Sequence, residues 1–142
     1  MVSVVTCPSC EKRNRVPLAA SGLPRCVRCH RDLPWLVDAA DDDFDDATRS
    51  TLPILVDLWA PWCGPCRVVA PGVERASREL AGRLKVVKVD VDRAPAVSAR
   101  FGVQGIPMLL VLRDGRPVAQ QVGAIPPDRL VEWVRAAVGR VA

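Results

Sequence analysis

Trp62-Cys63-Gly64-Pro65-Cys66 is the stretch whose reading decides the fold. Two thiols separated by Gly-Pro can close a small disulfide ring and reopen it. Upstream, Ile54 to Ala60 is a short apolar run of the kind that forms a buried strand. Downstream, Arg67 to Ala81 has helical periodicity: Cys66, Val69, Val73, Ala76 and Leu80 step by three or four and share one face. Glu74 and Arg78 stand at a favourable i, i+4 spacing on that helix, and Pro71 inside it is expected to bend it. Cys63 is thus expected where a strand hands over to a helix N-terminus, with Cys66 one turn in, on the buried side and less exposed. The unpaired N–H groups of a helix start favour an anion, and the thiolate is the form that attacks a disulfide. Cys63 is therefore the expected nucleophile and Cys66 the expected resolving thiol. Pro65 suits the first turn, where its missing N–H is no loss. The plainer alternatives are a metal half-site or two inert core cysteines. A C-x-x-C beside a βαβ pattern favours redox chemistry over both.

The chain of 142 residues has room for one domain with a real core plus a small appendage. Apolar content of 49% beside 25% charged residues is that of a water-soluble globular chain, and the longest apolar runs are far short of a membrane span. A net charge of +4 is too mild to argue for nucleic acid. The segment Met1-Val2-Ser3-Val4-Val5-Thr6-Cys7 lacks the basic and apolar regions of a secretory signal, so a cytoplasmic, reducing setting is expected. There, six cysteines point to metal binding or catalysis rather than structural disulfides.

Residues 1–33 contain no aromatic residue and form a separate compositional block. Cys7-Pro8-Ser9-Cys10 and Cys26-Val27-Arg28-Cys29 fit the C-x2-C-x15–20-C-x2-C pattern of a structural zinc site. Each pair makes a tight knuckle, and four thiolates suit tetrahedral Zn²⁺. So short a block buries too little apolar surface to fold alone, so the metal would supply its folding energy. Disulfides or an iron–sulfur centre are the competing uses of these ligands. Cys26-Val27-Arg28-Cys29-His30 also matches the C-x-x-C-H of haem attachment, but that assignment leaves Cys7 and Cys10 without a role. The block carries a formal +4, which a Zn(Cys)4 centre would cut to about +2. Without aromatics to stack on bases, that is a thin footprint for nucleic acid.

Beyond the block, Pro34 to Asp38 reads as a first strand. Five aspartates between Asp41 and Asp46 surround Phe44, and a short helix from about Asp42 to Ser50 is expected, its acidic side solvated and Phe44 turned inward. Asp57 is the odd residue of the central strand: a carboxylate in so apolar a run is desolvated, which raises its pKa. Lys85 to Val91 alternates toward a strand, and Arg93 to Phe101 gives a short helix. Met108 to Arg113 and Pro117 to Gly123 form a hairpin through Asp114-Gly115. Asp128 to Val141 closes the chain as an amphipathic helix, with Leu130, Val131, Val134, Ala137, Val138 and Val141 inward.

Asp57-Leu58-Trp59-Ala60-Pro61-Trp62-Cys63-Gly64-Pro65-Cys66 resembles the active-site segment of thioredoxins, and the similarity runs from about Trp35 to the C-terminus. With its cysteine-rich start, the chain is similar to the thioredoxin 2 subgroup, in which a four-cysteine zinc module precedes the thioredoxin domain. The resemblance implies an α/β thioredoxin fold over residues 34–142: a central mixed sheet of about five strands, the first three parallel and the last hairpin antiparallel, with helices on both faces. It implies a protein-disulfide reductase, recycled by thioredoxin reductase and NADPH, with no bound organic cofactor. By the same resemblance Asp57 exchanges a proton with Cys66, and Lys88 lies near Asp57. A cis Ile106–Pro107 loop faces the disulfide, and Trp62, Gly64, Pro65, Ile106, Pro107 and Gly123 flank the groove for disulfide-containing substrates. The family usually has threonine after the proline, where Met108 stands here, which would alter docking. A monomer is expected. The rival functions are a thiol oxidase or isomerase, and a zinc-centred redox switch or holdase.

Overall fold

The computed structural model describes residues 2–140. The N-terminal segment forms an antiparallel pair, β1 (Val2–Thr6) and β2 (Arg13–Pro17). The main sheet follows from β3 (Trp35–Ala39), β4 (Ile54–Trp59), β5 (Lys85–Asp90), β6 (Met108–Arg113) and β7 (Arg116–Val122). Its order is β3-β5-β4-β6-β7, with β3, β5 and β4 mutually parallel and β6 and β7 antiparallel. Helices α2 (Gly64–Glu79) and α4 (Pro127–Arg140) cover one face. On the other, α1 (Phe44–Thr48) and α3 (Pro95–Arg100) supply Phe44, Ala47 and Val97 to a second cluster.

The α2 stripe of Cys66, Val69, Val73, Ala76 and Leu80 is buried as its spacing predicts, and the helix continues through Pro71. In α4, Leu130, Val131, Val134, Ala137 and Val138 are buried, whereas Val141 lies outside the described residues. The hairpin turns at Asp114 and Gly115, both at positive φ (53° and 77°), as a two-residue turn between twisted strands demands. The expected helix over 42–50 is shorter, Phe44–Thr48. Asp41 is not part of a solvated face: its carboxylate accepts hydrogen bonds from the Ala96 and Val97 amides (3.0 and 2.9 Å) and caps the start of α3. The run expected as one helix over 93–101 splits into a 3-10 turn (Val91–Arg93) and α3.

The N-terminal segment packs onto the sheet. Cys7, Val16, Cys26 and Leu33 belong to the same buried cluster as Trp35, Val37 and Phe44. Two side chains at the N-terminal ends of β3 and β5 fasten it: Trp35 Nε1 donates to the Pro17 carbonyl (2.8 Å), and Lys85 Nζ donates to that of Leu18. The Lys85 ammonium lies 4.1 Å from the Trp35 ring centroid, and burial pulls its pKa down to about 8. Gly82, after α2, has φ +81°, and a Cβ there would fall 2.4 Å from Asp32 Oδ2.

Candidate functional site: a disulfide at a helix start and a four-sulfur cluster

Cys63 and Cys66 are disulfide-bonded, with Cα atoms 5.3 Å apart. Cys63 is the N-cap of α2, and its Sγ accepts the Cys66 amide at 3.2 Å. Gly64 and Pro65 open the helix, so Pro65 takes the place where no N–H is missed. Only part of the expected asymmetry is present. Both cysteines are 4% exposed, so exposure does not distinguish them; the helix-start amide at the Cys63 sulfur does. The reason is that Ala60, Trp59, Val91 and Ile106 wall the pair from several sides.

Above the disulfide, the Ile106–Pro107 peptide is cis. The Gly123 amide donates to the Pro107 carbonyl at 2.9 Å, and Gly123 holds φ +93°, which favours glycine. Trp62 is 68% exposed, and its indole Nε1 is tied to Asp92 Oδ2 at 2.8 Å. Trp62, Val91, Pro95, Val103, Gly105 and Ile106 line an open groove of about 570 Å³ beside the disulfide. Met108 does not line it: the side chain is 3% exposed and packs in the core, because the first residue of β6 points inward.

Beneath the disulfide, Asp57 is 2% exposed, and burial pushes its carboxyl up to about 6, against an opposing pull from Lys88. Its Oδ1 and the Trp59 Nε1 are buried and find no hydrogen-bond partner among the described residues. Both residues line a narrow cleft of about 110 Å³ that also touches Cys66 and Lys88. This cleft brings the acid and the helix-side cysteine to one space.

The N-terminal cysteines gather elsewhere. The Sγ atoms of Cys7, Cys10, Cys26 and Cys29 lie within 4.8 Å of one another, with Cys7–Cys29 at 3.6 Å and Cys10–Cys26 at 3.5 Å. Tetrahedral Zn–S bonds of about 2.3 Å would place sulfurs about 3.8 Å apart, so the cluster fits that ion. The two knuckles repeat one backbone pattern. Glu11 N donates to Cys7 O and Cys7 N to Lys12 O, just as His30 N donates to Cys26 O and Cys26 N to Arg31 O. Glu11 and His30 take the matching positive-φ position (65° and 63°), so His30 is a turn residue of a knuckle. The Cys29 and Arg28 amides and the Asn14 side chain draw the Cys26 thiol down to about 6 against desolvation, whereas at Cys10, against the pull of the Lys12 amide, desolvation and then the neighbouring sulfurs push the thiol up to about 11. Spacing alone pointed to these ligands; it gave no sign of Asn14, which is 4% exposed and donates to Cys26 Sγ at 3.5 Å.

A two-cysteine redox centre at the start of a helix, on a sheet of this order, defines a thiol–disulfide oxidoreductase. The thioredoxin family model matches residues 36–136, and the chain belongs to the thioredoxin family. It is 46% identical over 95 residues to a thioredoxin of Haemophilus influenzae, covering 66% of this chain and 89% of that one. It is 42% identical over 100 residues to thioredoxin C-2 of Corynebacterium nephridii (70% and 93%). With a Bacillus subtilis thioredoxin the identity is 43% over 99 residues (70% and 94%). The matched region of the family model begins after the cysteine-bearing segment.

Proposed function

We propose that the chain reduces protein disulfides, is recycled by thioredoxin reductase at the expense of NADPH, and carries a structural zinc on its N-terminal module, as in the thioredoxin 2 subgroup. The observation that carries the reading is the Cys63–Cys66 disulfide set between the α2 N-terminus and the Ile106–Pro107 loop, with Asp57 beneath it. In the reduced protein the Cys63 thiolate attacks a substrate sulfur and forms a mixed disulfide, expelling the other substrate sulfur as a thiolate. Asp57 takes the proton of Cys66. The Cys66 thiolate then attacks Cys63, releasing the substrate dithiol and leaving the Cys63–Cys66 disulfide. Trp62 and Ile106 line the groove in which an extended substrate segment would lie against the Ile106 backbone, with Gly64, Pro65, Pro107 and Gly123 proposed to flank that segment outside the groove's own lining.

Cys7, Cys10, Cys26 and Cys29 would hold the zinc, which closes the two knuckles and adds folding energy to residues 1–33. Residues 34–142 are the catalytic domain. The protein acts in the cytoplasm as a monomer, on protein partners and not on nucleic acid or membrane. A zinc-centred redox switch is the second reading, favoured by the cross-knuckle contacts Cys7–Cys29 and Cys10–Cys26, which oxidation would convert to disulfides.

The test is NADPH-driven insulin reduction with a bacterial thioredoxin reductase. Turnover that disappears in Cys63→Ser is the expected result. A native protein that stays inactive even with dithiothreitol overturns the reductase reading. Zinc release by peroxide at concentrations that leave turnover intact would favour the switch.

A further inference from the structure

Asp57, Lys88 and Asp38 form a row across three strands. Lys88 on β5 is in register with Asp57 on β4 and with Asp38 on β3, so all three side chains leave the same face. Neighbouring strands lie about 4.8 Å apart, which puts Lys88 between two carboxylates. The row descends from solvent to core: Asp38 is exposed, Lys88 half-buried and Asp57 buried. Lys88 also divides two clefts. The inner one, of about 110 Å³, touches Asp57 and Cys66; the outer one, of about 250 Å³, is lined by Asp38, Asp90 and Arg93.

We propose that Asp38 is a positioning residue for the proton step: it draws the Lys88 ammonium toward the outer cleft and so limits how firmly that cation holds Asp57 ionised. The inference rests on the reading of Asp57 as the proton acceptor for Cys66. A lysine on a flexible stem reaches either carboxylate. The ammonium lies 5.1 Å from the ring centroid of Trp59, which lines the inner cleft; turned toward exposed Asp38 it would be better solvated. The charged surroundings are few. From α2, Arg67 and Cys66 reach the inner cleft; the β6 partner of Asp57 is Leu109, which is uncharged; Asp90 and Arg93 face the outer cleft. Lys88 lowers the proton affinity of Asp57 and Asp38 raises it, as this geometry requires. Removing the Asp38 charge thus acts in one direction, both by ending a repulsion and by freeing Lys88.

The experiment is a carbon-detected NMR titration of the Asp57 carboxyl in the native protein, Asp38→Asn, Lys88→Gln and the double variant. Asp38→Asn should move the Asp57 midpoint down by about half a pH unit. In the Lys88→Gln background the same substitution should move it by less than half as much. An unmoved or raised midpoint overturns the proposal. An equal fall in both backgrounds overturns it too, because Asp38 would then act directly across the sheet and not through Lys88. The pH profile of insulin reduction is recorded alongside, with Asp57→Asn as reference. If the acid limb of that profile survives in Asp57→Asn, the role of Asp57 in turnover fails, whereas the titration still reports on Asp38.

Discussion

The molecule uses C-x-x-C three times and puts it in two different physical settings. At Cys63 the motif opens a helix of 16 residues, so the sulfur accepts an amide hydrogen bond from a long stack of aligned peptide dipoles. Its partner lies one turn away, close enough to close a disulfide. At Cys7 and Cys26 the motif sits in turns with no helix behind it, and each sulfur meets a sulfur of the other knuckle: Cys7 meets Cys29 and Cys10 meets Cys26. The spacing fixes only how near two sulfurs can come. The backbone that follows decides whether they pair with each other or gather with a second pair into a four-sulfur cluster. The two settings also lie at opposite ends of the sheet. Trp35 and Lys85, which anchor the N-terminal module, stand at the N-terminal ends of parallel strands, and Cys63 follows the C-terminal end of β4. A six-residue strand spans about 20 Å, too far for direct exchange between the two sets of thiols.

Exchanging serine for one cysteine in each setting tests that separation most strongly. Cys66→Ser should stop turnover at the mixed disulfide, which accumulates and is seen as a covalent adduct by mass spectrometry. Cys10→Ser should leave insulin reduction within about threefold of native while zinc affinity falls by more than about 100-fold. Metal analysis after gel filtration reads the second outcome. Loss of turnover in Cys10→Ser comparable to that in Cys66→Ser would break the comparison, because the two ends would then be coupled.

The buried acid gives the next largest effect, and it is a stability effect confined to the catalytic end. Asp57 titrates near 6 in the fold, against about 3.9 for an unfolded aspartate. Between those values the native state binds more protons than the unfolded one, so stability falls as pH rises from about 4 through 6. Above pH 6 the fold carries the full cost of a desolvated carboxylate, roughly 2–3 kcal/mol. Asp57→Asn should therefore be more stable than the native protein by roughly that amount at pH 7, with the gain vanishing near pH 4. Urea denaturation of the oxidised proteins at the two pH values measures it. A gain independent of pH would mean that packing, not charge, separates the variants.

Much of this was legible because it is local. Periods of three and four marked the buried face of α2, an apolar run marked β4, and Asp114-Gly115 marked the hairpin. The knuckle spacing picked out all four clustered sulfurs. What escaped depends on contacts between distant parts of the chain. Lys85 reads as one member of an alternating strand, yet it is buried, its ammonium donating a hydrogen bond to the Leu18 carbonyl of the N-terminal segment. Asp41 looks like one charge of an acidic run, yet it caps a helix that begins at Pro95. The equal burial of Cys63 and Cys66 comes from the Val91 and Ile106 walls, and Met108 turns inward because of strand register. No local pattern carries such information.

The smallest effect asks whether the N-terminal module and the sheet melt together. Gly82 combines a left-handed φ of +81° with a would-be Cβ 2.4 Å from Asp32 Oδ2, at the end of the molecule remote from the disulfide. Alanine there is strained by its backbone conformation and by the clash, at about 1–2 kcal/mol. In a chain of this size that should lower Tm by about 3–6 °C. The spatial pattern of the loss matters more than its size. If the module is fastened chiefly at Trp35, Lys85 and Gly82, amide hydrogen exchange in Gly82→Ala should quicken in β2 and the second knuckle. Protection in β4 and the first turn of α2 should hold. Uniformly faster exchange along the chain would instead mean one cooperative unit, as the shared cluster of Cys7, Cys26, Trp35 and Val37 would allow. The boundary between residues 33 and 34 would then mark a change of composition and not a division in folding.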